Sequence, residues 1–358
     1  MIILHIACIT NEFCKGVCVA VPQHINAQSE FAELGFINVN NVQIPNIKNQ
    51  FVYKKNETFA SLPAPFNNPD IVIFHEVYRP IFLSIYKEVT NKNIPYIIIP
   101  HGCLTKIAQK NKKLKKLIAN QFLFNKFIYS AKAIQCLSEQ EKKNTIFNVD
   151  KFVCGNGIDT PSFTKVSFND TKILFIFIGR IDIKIKGLDI LLTAINKIKD
   201  FLKSQNAVFN IVGSVTGDDT GKLRQLIKEL NISDLVTIIE AKNGKEKEQL
   251  LLESDIFLLT SRTEGMPMGV IEALNYGIPC IVTQGTSVKS LIEENDVGWG
   301  CETNSDSLAD VIKQSVLERN KWTKKSDAAK SLMQKNYRWN KIASETIKRY
   351  ADFINYEN

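Results

Sequence analysis

The chain has 358 residues, of which 44% are apolar and 23% charged, and it carries a formal net charge of +8. This composition is that of an ordinary globular protein and excludes disordered, collagen-like and coiled-coil chains. At about 100–200 residues per domain, the length predicts two domains. The charge excess is confined to residues 1–165, with 19 basic and 11 acidic side chains, because residues 166–358 hold 26 of each. We therefore expect a negatively charged partner to meet the first half.

The apolar runs and the cysteines indicate the compartment. No run reaches the about 18 apolar residues that a membrane-spanning helix needs. The apolar start, Met1–Ile9, lacks a basic flank and a cleavage site, so it predicts a buried strand rather than a signal peptide. The eight cysteines form no Cys-x-x-Cys pair and lie mostly in apolar runs. We expect a cytoplasmic protein with reduced thiols and no metal site.

Short runs rich in Ile, Val and Phe alternate with segments of helical periodicity along the chain. The predicted strands are 2–9, 71–75, 95–99, 132–136, 151–154, 172–178, 207–212, 235–239, 255–259 and 279–282. The predicted helices are 80–91, 106–128, 138–147, 187–200, 220–230, 246–253, 268–276, 305–318 and 339–356. Apolar runs buried on both faces and separated by helices predict parallel sheets.

Two such series in one chain predict an α/β protein of two doubly wound, Rossmann-like domains. The polar stretch at 159–170 separates a first domain, 1–162, from a second, 168–338. The terminal segment 339–358 follows without a strand and is assigned to the first domain. In such sheets ligands bind beyond the carboxyl ends of the strands, and the cleft between the two domains is the expected site.

The first chemical motif follows strand 172–178 and runs from Gly179 to Asp189. A strand, a basic loop and a helix start together predict an anion site. Arg180 offers a planar fork, Lys186 a point charge, and Gly187 permits close backbone approach. The alternative is ordinary surface charge on a strand-to-helix loop.

The second motif, Thr260 to Leu274, follows the buried run 255–259. Glu264 and Glu272 are eight residues apart, one in the loop and one near the start of the next helix, so both can meet one ligand. Carboxylates accept hydrogen bonds from sugar or ribose hydroxyls, and a helix N-terminus attracts phosphate. The alternative, a dipole-favoured helix acid and an exposed loop acid, leaves the intervening Gly-Met-Pro-Met-Gly unexplained.

Both motifs resemble those of the retaining glycosyltransferases of the GT-B fold, most closely family 4, which includes bacterial cell-surface polysaccharide enzymes. Their signatures are a Glu, seven residues, Glu pair and a Gly-Arg…Lys-Gly-x-Asp segment. Weaker similarities follow in chain order through both halves. They are Lys15-Gly16-Val17, Pro100-His101-Gly102, Leu137-Ser138-Glu139-x-Glu141, Gly155-Asn156-Gly157-Ile158-Asp159 and Gly213. The first loop has one glycine where the family has two, and Gly213-Ser214-Val215 departs from the family's Gly-x-Gly.

The resemblance implies a GT-B protein whose two parallel sheets face an interdomain cleft. Arg180 and Lys186 would hold the diphosphate of a nucleotide-sugar and stabilise charge as the sugar–phosphate bond breaks. Glu272 would bind ribose hydroxyls and Glu264 the donor sugar, with no metal or other cofactor. The implied catalytic residues are Glu264, Arg180, Lys186 and His101. The implied donor-binding residues are Gly16, Gly213, Gly265, Met266, Pro267, Met268, Gly269 and Glu272.

The four histidines all fall in the first half of the chain. The resemblance makes His101 a positioning group on the donor sugar rather than a base, and the alternative is a structural loop histidine. His75 is a weaker candidate for substrate contact. His5 and His24 are interpreted as structural.

Six lysines without an acidic neighbour mark the segment 106–116, ahead of an apolar helical pattern. They are Lys106, Lys110, Lys112, Lys113, Lys115 and Lys116. A solvated helix face is one interpretation. Nucleic-acid binding is another, but no recognised nucleic-acid-binding module accompanies these lysines. An anionic membrane surface fits the amphipathic pattern better, with the protein peripheral at the inner face of the cytoplasmic membrane.

The resemblance therefore implies a retaining, metal-independent hexosyltransferase that uses a nucleotide-sugar, expected to be a UDP-sugar. Its acceptor would be a lipid-linked or growing surface glycan, such as capsule or lipopolysaccharide O-antigen. One alternative is a UDP-sugar 2-epimerase of the same architecture. Another is a catalytically silent subunit that binds sugar nucleotides, although all four donor-site charges are present.

Overall fold

The computed structural model describes residues 1–10, 16–53, 58–110, 113–213 and 219–355. The chain divides into two compact units. Unit 1 comprises residues 1–157 together with 339–358, and unit 2 comprises residues 158–338. The sequence placed the corresponding bounds at 1–162 with 339–358, and at 168–338.

Unit 1 contains a seven-stranded parallel sheet in the order β3-β2-β1-β4-β5-β6-β7. Its strands are β1 (Ile2–Ala7), β2 (Glu33–Asn38), β3 (Gln50–Phe51), β4 (Ile71–His75), β5 (Tyr96–Ile99), β6 (Ala133–Cys136) and β7 (Lys151–Val153). Its helices up to residue 157 are α1 (Gly16–Gln28), α2 (Pro80–Asn91), α3 (Lys106–Lys110), α4 (Lys113–Ala119), α5 (Asn125–Tyr129) and α6 (Glu139–Asn144). A 3₁₀ turn (Phe59–Ser61) and a π-helical stretch (Asn120–Phe124) complete this part.

The sequence predicts β1, β4, β5, β6 and β7 of unit 1, but it does not predict β2, β3 or α1. β1, β4, β5 and β6 are apolar runs with nearly every residue buried, as strands covered on both faces require. β2 contains Gly35, where an added Cβ would lie 2.7 Å from the Phe66 ring, so the strand depends on a glycine that sequence patterns assign to loops. α1 has Pro22 in its interior, which removes a donor and hides the helix from periodicity.

Unit 2 contains a six-stranded parallel sheet in the order β10-β9-β8-β11-β12-β13. Its strands are β8 (Ile173–Ile178), β9 (Ala207–Gly213), β10 (Val236–Glu240), β11 (Ile256–Leu259), β12 (Cys280–Thr283) and β13 (Gly298–Cys301). Its helices are α7 (Leu188–Lys197), α8 (Lys199–Ser204), α9 (Asp219–Glu229), α10 (Gly244–Glu253), α11 (Met268–Asn275), α12 (Lys289–Glu294), α13 (Ser305–Leu317) and α14 (Trp322–Asn336). Short 3₁₀ turns lie at Gln284–Thr286 and Arg319–Lys321.

The order of the strands in unit 2 places β8 next to β11, with β9 and β10 on one side and β12 and β13 on the other. The chain direction across the sheet therefore reverses between β8 and β11. In doubly wound sheets the crevice beyond the carboxyl ends of the strands at this switch point is where ligands bind. Both sequence motifs follow these two strands.

The last helix, α15 (Trp339–Asn355), belongs to unit 1 and packs against α1. The Trp339 ring meets His24 edge-on with the ring centroids 5.0 Å apart. Gly157 permits this packing, because an added Cβ there would lie 2.5 Å from Trp339 Cδ2. Tyr350 is fully buried, so α15 forms part of the core of unit 1.

Seven cysteines of the described residues are free, and four of them are buried. Among the helices of the described residues, none is both long and apolar enough to cross a bilayer.

Candidate functional site

Two loops lie side by side where β8 and β11 end, since these parallel strands are neighbours, with Phe175 opposite Ile256 and Ile176 opposite Phe257. The Thr260 hydroxyl donates to the carbonyl of Lys186 at 2.9 Å and to that of Gly187 at 3.1 Å. Gly187 has a φ of 63°, and an added Cβ would lie 2.1 Å from the Thr260 carbonyl oxygen. Only glycine fits this left-handed, crowded position, so the two motifs are joined through their backbones.

Lys186 and Glu264 form the centre of this site. The Lys186 Nζ lies 2.6 Å from Glu264 Oε1, and both side chains are less than one-fifth exposed, at 18% and 15%. The Ser261 hydroxyl donates to the same Glu264 oxygen at 2.6 Å. The Glu264 carbonyl accepts from Ser287 Oγ at 2.8 Å. The carboxylate is thus held by side chain and backbone, and Oε2 has no hydrogen bond among the described residues.

A bidentate pair supports the loops from one side. Arg262 donates to both carboxylate oxygens of Asp189, at 2.7 and 2.8 Å, and to the carbonyl of Lys184 at 2.8 Å. Burial alone would raise the pKa of Asp189, but the hydrogen bonds and charge of Arg262 outweigh it and lower the pKa. The sequence contained both residues within its motifs, yet only the strand order reveals that they meet.

Glu272 lies in α11 and its Oε2 accepts a hydrogen bond from Lys247 of α10. Lys247 carried no sequence signal, because nothing in the pattern of α10 distinguishes it from the other lysines there. Each side chain is about 30% exposed. The pair fixes one carboxylate oxygen of Glu272, while Oε1 has no hydrogen bond among the described residues.

Arg180 makes one side-chain hydrogen bond among the described residues. Its guanidinium donates to Asp182 Oδ2 at 3.2 Å, and its side chain is 47% exposed. No hydrogen bond joins it to Lys186 or Glu264 among the described residues. Its predicted role toward a diphosphate stays a prediction.

Two of the candidate glycines, Gly213 and Gly269, have steric reasons for their presence. A Cβ on Gly213 would lie 1.9 Å from the Gly179 carbonyl oxygen, and one on Gly269 would lie 3.1 Å from the Phe257 ring. These positions let β9 and α11 approach β8 and β11. Gly265, Met266 and Pro267 form the loop before α11, which begins at Met268. Donor contacts of all these residues stay predictions.

The remaining candidates, Gly16 and His101, lie in unit 1. Gly16 begins α1, and nothing lies within 4 Å of where its Cβ would be. His101 follows β5 with a φ of 49°, and its Nε2 lies 3.1 Å from His75 Nδ1. The next residue, Gly102, donates its N–H to Glu141 Oε1 at 2.5 Å. Glu141, whose pKa burial raises, was matched in the sequence without a role and now has one in holding this turn.

No group of three His, Cys, Asp or Glu side chains that could hold a metal ion occurs within the described part of the chain. Lys112 lies outside the described residues. Lys106, Lys110 and Lys115 are exposed, and Lys116 is half-buried with its ammonium donating to the Ala108 carbonyl at 2.6 Å. Lys113 is the first residue of α4.

Comparison with known proteins relates this site to a family. Residues 159–332 match the family model described as "Glycosyl transferases group 1". The chain is 31% identical over 134 residues to the amylovoran biosynthesis glycosyltransferase AmsK of Erwinia amylovora, an alignment that covers 36% of this chain and 32% of that protein. The alignments to the first curated relatives span only about a third to less than half of their length, at 36%, 32% and 44%.

Solved structures are similar along the whole chain. The Anabaena protein Alr3699/HepE in complex with UDP has a TM-score of 0.75 at 16% identity, covering 98% of this chain and 100% of that one. WaaG, a glycosyltransferase involved in lipopolysaccharide biosynthesis, has a TM-score of 0.68 at 12% identity, with 99% of both chains covered. The predicted GT-B fold is confirmed. The family match supports the predicted resemblance to group 1 glycosyltransferases, and these comparisons do not favour the alternatives.

Proposed function

We propose that the chain is a retaining, family 4-type glycosyltransferase that moves a sugar from a UDP-sugar to a lipid-linked or growing surface glycan. The observation that carries the proposal is the Lys186–Glu264 pair at the switch point of the sheet, in the matched region. Glu272 lies on α11, the helix that follows the Glu264 loop. A UDP complex of a structural neighbour supports a nucleotide-sugar donor. A relative named as an amylovoran biosynthesis glycosyltransferase and a structural neighbour involved in lipopolysaccharide biosynthesis support a surface glycan product.

The proposed reaction breaks the bond between the anomeric carbon and the phosphate oxygen of the donor. The nucleoside diphosphate leaves with the bonding electron pair, the acceptor hydroxyl oxygen bonds to the anomeric carbon on the same face, and its proton passes to the leaving phosphate oxygen. Lys186 and Arg180 stabilise the charge that grows on the diphosphate, as fixed cations do in a preorganised site. This arrangement requires no metal ion.

The two glutamates orient the donor in this proposal. Glu264 Oε1 is already held by Lys186 and Ser261, so Oε2 accepts a hydroxyl of the donor sugar. Glu272 Oε1 accepts a ribose hydroxyl while Lys247 holds Oε2. A carboxylate that is already hydrogen-bonded through one oxygen has a fixed orientation. Little further side-chain freedom is lost when its second oxygen binds the donor.

The test is donor cleavage across UDP-, GDP- and ADP-sugars, with and without EDTA. We expect cleavage of a UDP-sugar, unchanged by EDTA, and a transfer product with the anomeric configuration of the donor. Loss of activity in EDTA would refute the metal-free reaction. An inverted product would refute retention. Release of a free 2-epimer would favour the epimerase, and binding without cleavage of any donor would favour the silent subunit.

We also propose that unit 1 contacts an anionic membrane through a basic apolar surface (residues 106–110 and 113–129). Large apolar side chains stand exposed on its helices beside Lys106, Lys110 and Lys115. They are Leu114 at 70%, Leu117 at 57%, Ile118 at 52%, Phe122 at 75%, Leu123 at 51% and Tyr129 at 54%. Exposed apolar residues next to cations suit a leaflet with anionic headgroups. The electrostatic attraction contributes about 1 kcal/mol of binding free energy for each lysine near the surface. A lipid-linked acceptor would be met there.

Replacing Lys106, Lys110 and Lys115 by glutamine is expected to weaken binding to phosphatidylserine vesicles by roughly a hundredfold, since three charges are lost. Flotation at low and high salt measures the effect. The matched control replaces three exposed lysines of unit 2, Lys203, Lys222 and Lys228, and should bind as the parent does. Equal binding by the two triple variants would refute the proposal.

A further inference from the structure

Three histidines of unit 1 stand in a row across neighbouring strands. His5 lies in β1, His75 ends β4, and His101 follows β5. His5 Nδ1 lies 3.0 Å from His75 Nε2, and His75 Nδ1 lies 3.1 Å from His101 Nε2. His5 and His75 are fully buried and His101 is half-buried. This histidine row (His5, His75, His101) is therefore a hydrogen-bonded chain from the interior to the surface.

The histidine row is uncharged at neutral pH. Burial lowers the pKa of His5 to about 3 and of His101 to about 3, and in both cases the charge of His24 lowers it further. Burial and the neighbouring rings place the pKa of His75 well below its usual range. A neutral imidazole has one N–H donor and one acceptor nitrogen. The proton position on one ring therefore dictates that on the next.

The buried end of the histidine row meets Gln28. We call Gln28, Gln135 and Tyr350 together the amide anchor. Gln135 Nε2 donates to the Cys154 carbonyl at 3.0 Å, which makes Gln135 Oε1 an acceptor. The Tyr350 hydroxyl donates to that oxygen at 2.7 Å. The backbone carbonyl thus fixes the direction of both hydrogen bonds.

Gln28 connects the amide anchor to the histidine row, with Oε1 lying 3.1 Å from His5 Nε2. Its Nε2 is buried and has no hydrogen-bond partner among the described residues. Burial raises the pKa of Tyr350 and the Gln28 amide opposes that rise, so the two side chains are neighbours. Because the Tyr350 proton is already given away, its oxygen offers only lone pairs. If the Gln28 amide were rotated by 180°, its Oε1 would face the Tyr350 oxygen, and two hydrogen-bond acceptors would meet.

We propose that the amide anchor fixes the proton of every ring in the histidine row on Nε2, so that His101 presents an unprotonated Nδ1. His5 then donates to Gln28 Oε1, His75 to His5, and His101 to His75. The two buried histidines and the amide anchor are positioning residues for His101.

The surroundings of His101 support a ligand role for this nitrogen. The residue follows β5 with a φ of 49°, a left-handed conformation that is unfavourable for a non-glycine residue and that is concentrated at functional sites. Resting on the proposed function, the ligand of Nδ1 is a sugar hydroxyl, which donates to a neutral imidazole. A ring with a pKa of about 3 accepts that hydrogen bond without taking the proton.

Proton positions are read by long-range ¹H–¹⁵N spectra of the full chain labelled at its four histidines. We expect His5, His75 and His101 as single Nε2–H forms, unchanged between pH 5 and 8. Gln28→Leu removes the acceptor at the end of the row and should convert the His101 signal into a mixture of both forms. Gln28→Glu retains an acceptor and should keep the single form. Gln23→Leu, the same change on the same helix, is the control.

An Nδ1–H form of His101 in the parent protein overturns the proposal, whatever the stability of the variants. A single Nε2–H form in folded Gln28→Leu also overturns it. With the proton positions as expected, Gln28→Leu should lower sugar transfer by about three- to tenfold, the value of one hydrogen bond. If the parent transfers no sugar, the proposed function fails while the proton assignment is still decided by the spectra.

Discussion

Replacing Lys186 by alanine is expected to lower kcat for sugar transfer by about a hundred- to a thousandfold, the usual effect of removing one preorganised charge from a transition state. The Lys186 ammonium lies 2.6 Å from Glu264 and is only 18% exposed, so water replaces it poorly. The donor KM should change much less, because the charge it stabilises develops as the bond breaks. Steady-state kinetics with a saturating acceptor measure both constants.

Lys184 provides the matched control in the same loop. Its side chain is 83% exposed and meets Asp189 at 3.6 Å, an exposed pair that contributes little. Lys184→Ala should therefore keep the parent kcat. Thermal unfolding of both variants separates a lost charge from a lost fold, because Lys186→Ala also leaves Glu264 without its cation. An unaffected kcat in folded Lys186→Ala would contradict the assigned role.

Glu272→Ala is expected to raise the donor KM by about tenfold to a hundredfold, since it removes a charged acceptor for a ribose hydroxyl. The variant also leaves Lys247 without its carboxylate partner. Lys247→Ala keeps Glu272 and should raise KM less, because it removes only the group that orients it. Isothermal titration with UDP reports the same loss without a reaction.

Glu246 supplies the comparison for Glu272. It lies on α10, pairs with Lys242 at 2.9 Å, and is 68% exposed. Glu246→Ala removes one negative charge from the same part of unit 2 and should leave UDP affinity unchanged. Parent-like UDP affinity in Glu272→Ala would contradict the ribose assignment.

The sequence predicts the sheets because their central strands are buried on both faces, and such strands read as continuous apolar runs. The sequence predicts the edges of the sheets less well. β13 is only Gly-Trp-Gly-Cys, and Gly298 is needed there because an added Cβ would lie 2.0 Å from the Cys280 carbonyl oxygen. Because β13 needs a glycine to lie close to β12, it lacks a run of apolar residues, and the sequence showed no sign of this strand.

The sequence likewise predicts only part of the candidate site. Lys186 and Glu264 each lie in a motif whose backbone geometry requires glycine, and motif and structure agree on the loops that hold them. Their mutual contact depends on β8 lying beside β11, which is a property of strand order. The Glu272–Lys247 pair joins two helices separated in sequence by β11, and no periodicity within either helix encodes it.

The return of α15 to unit 1 has a consequence for synthesis on the ribosome. The core of unit 1 includes Tyr350, whose hydroxyl bonds to Gln135, and Trp339, which packs on His24. The ribosome makes these residues only after the whole of residues 158–338. Unit 2 has its own core and sheet and can fold as soon as it emerges. Until α15 has been made, the surface of α1 that packs against it in the folded unit stays uncovered.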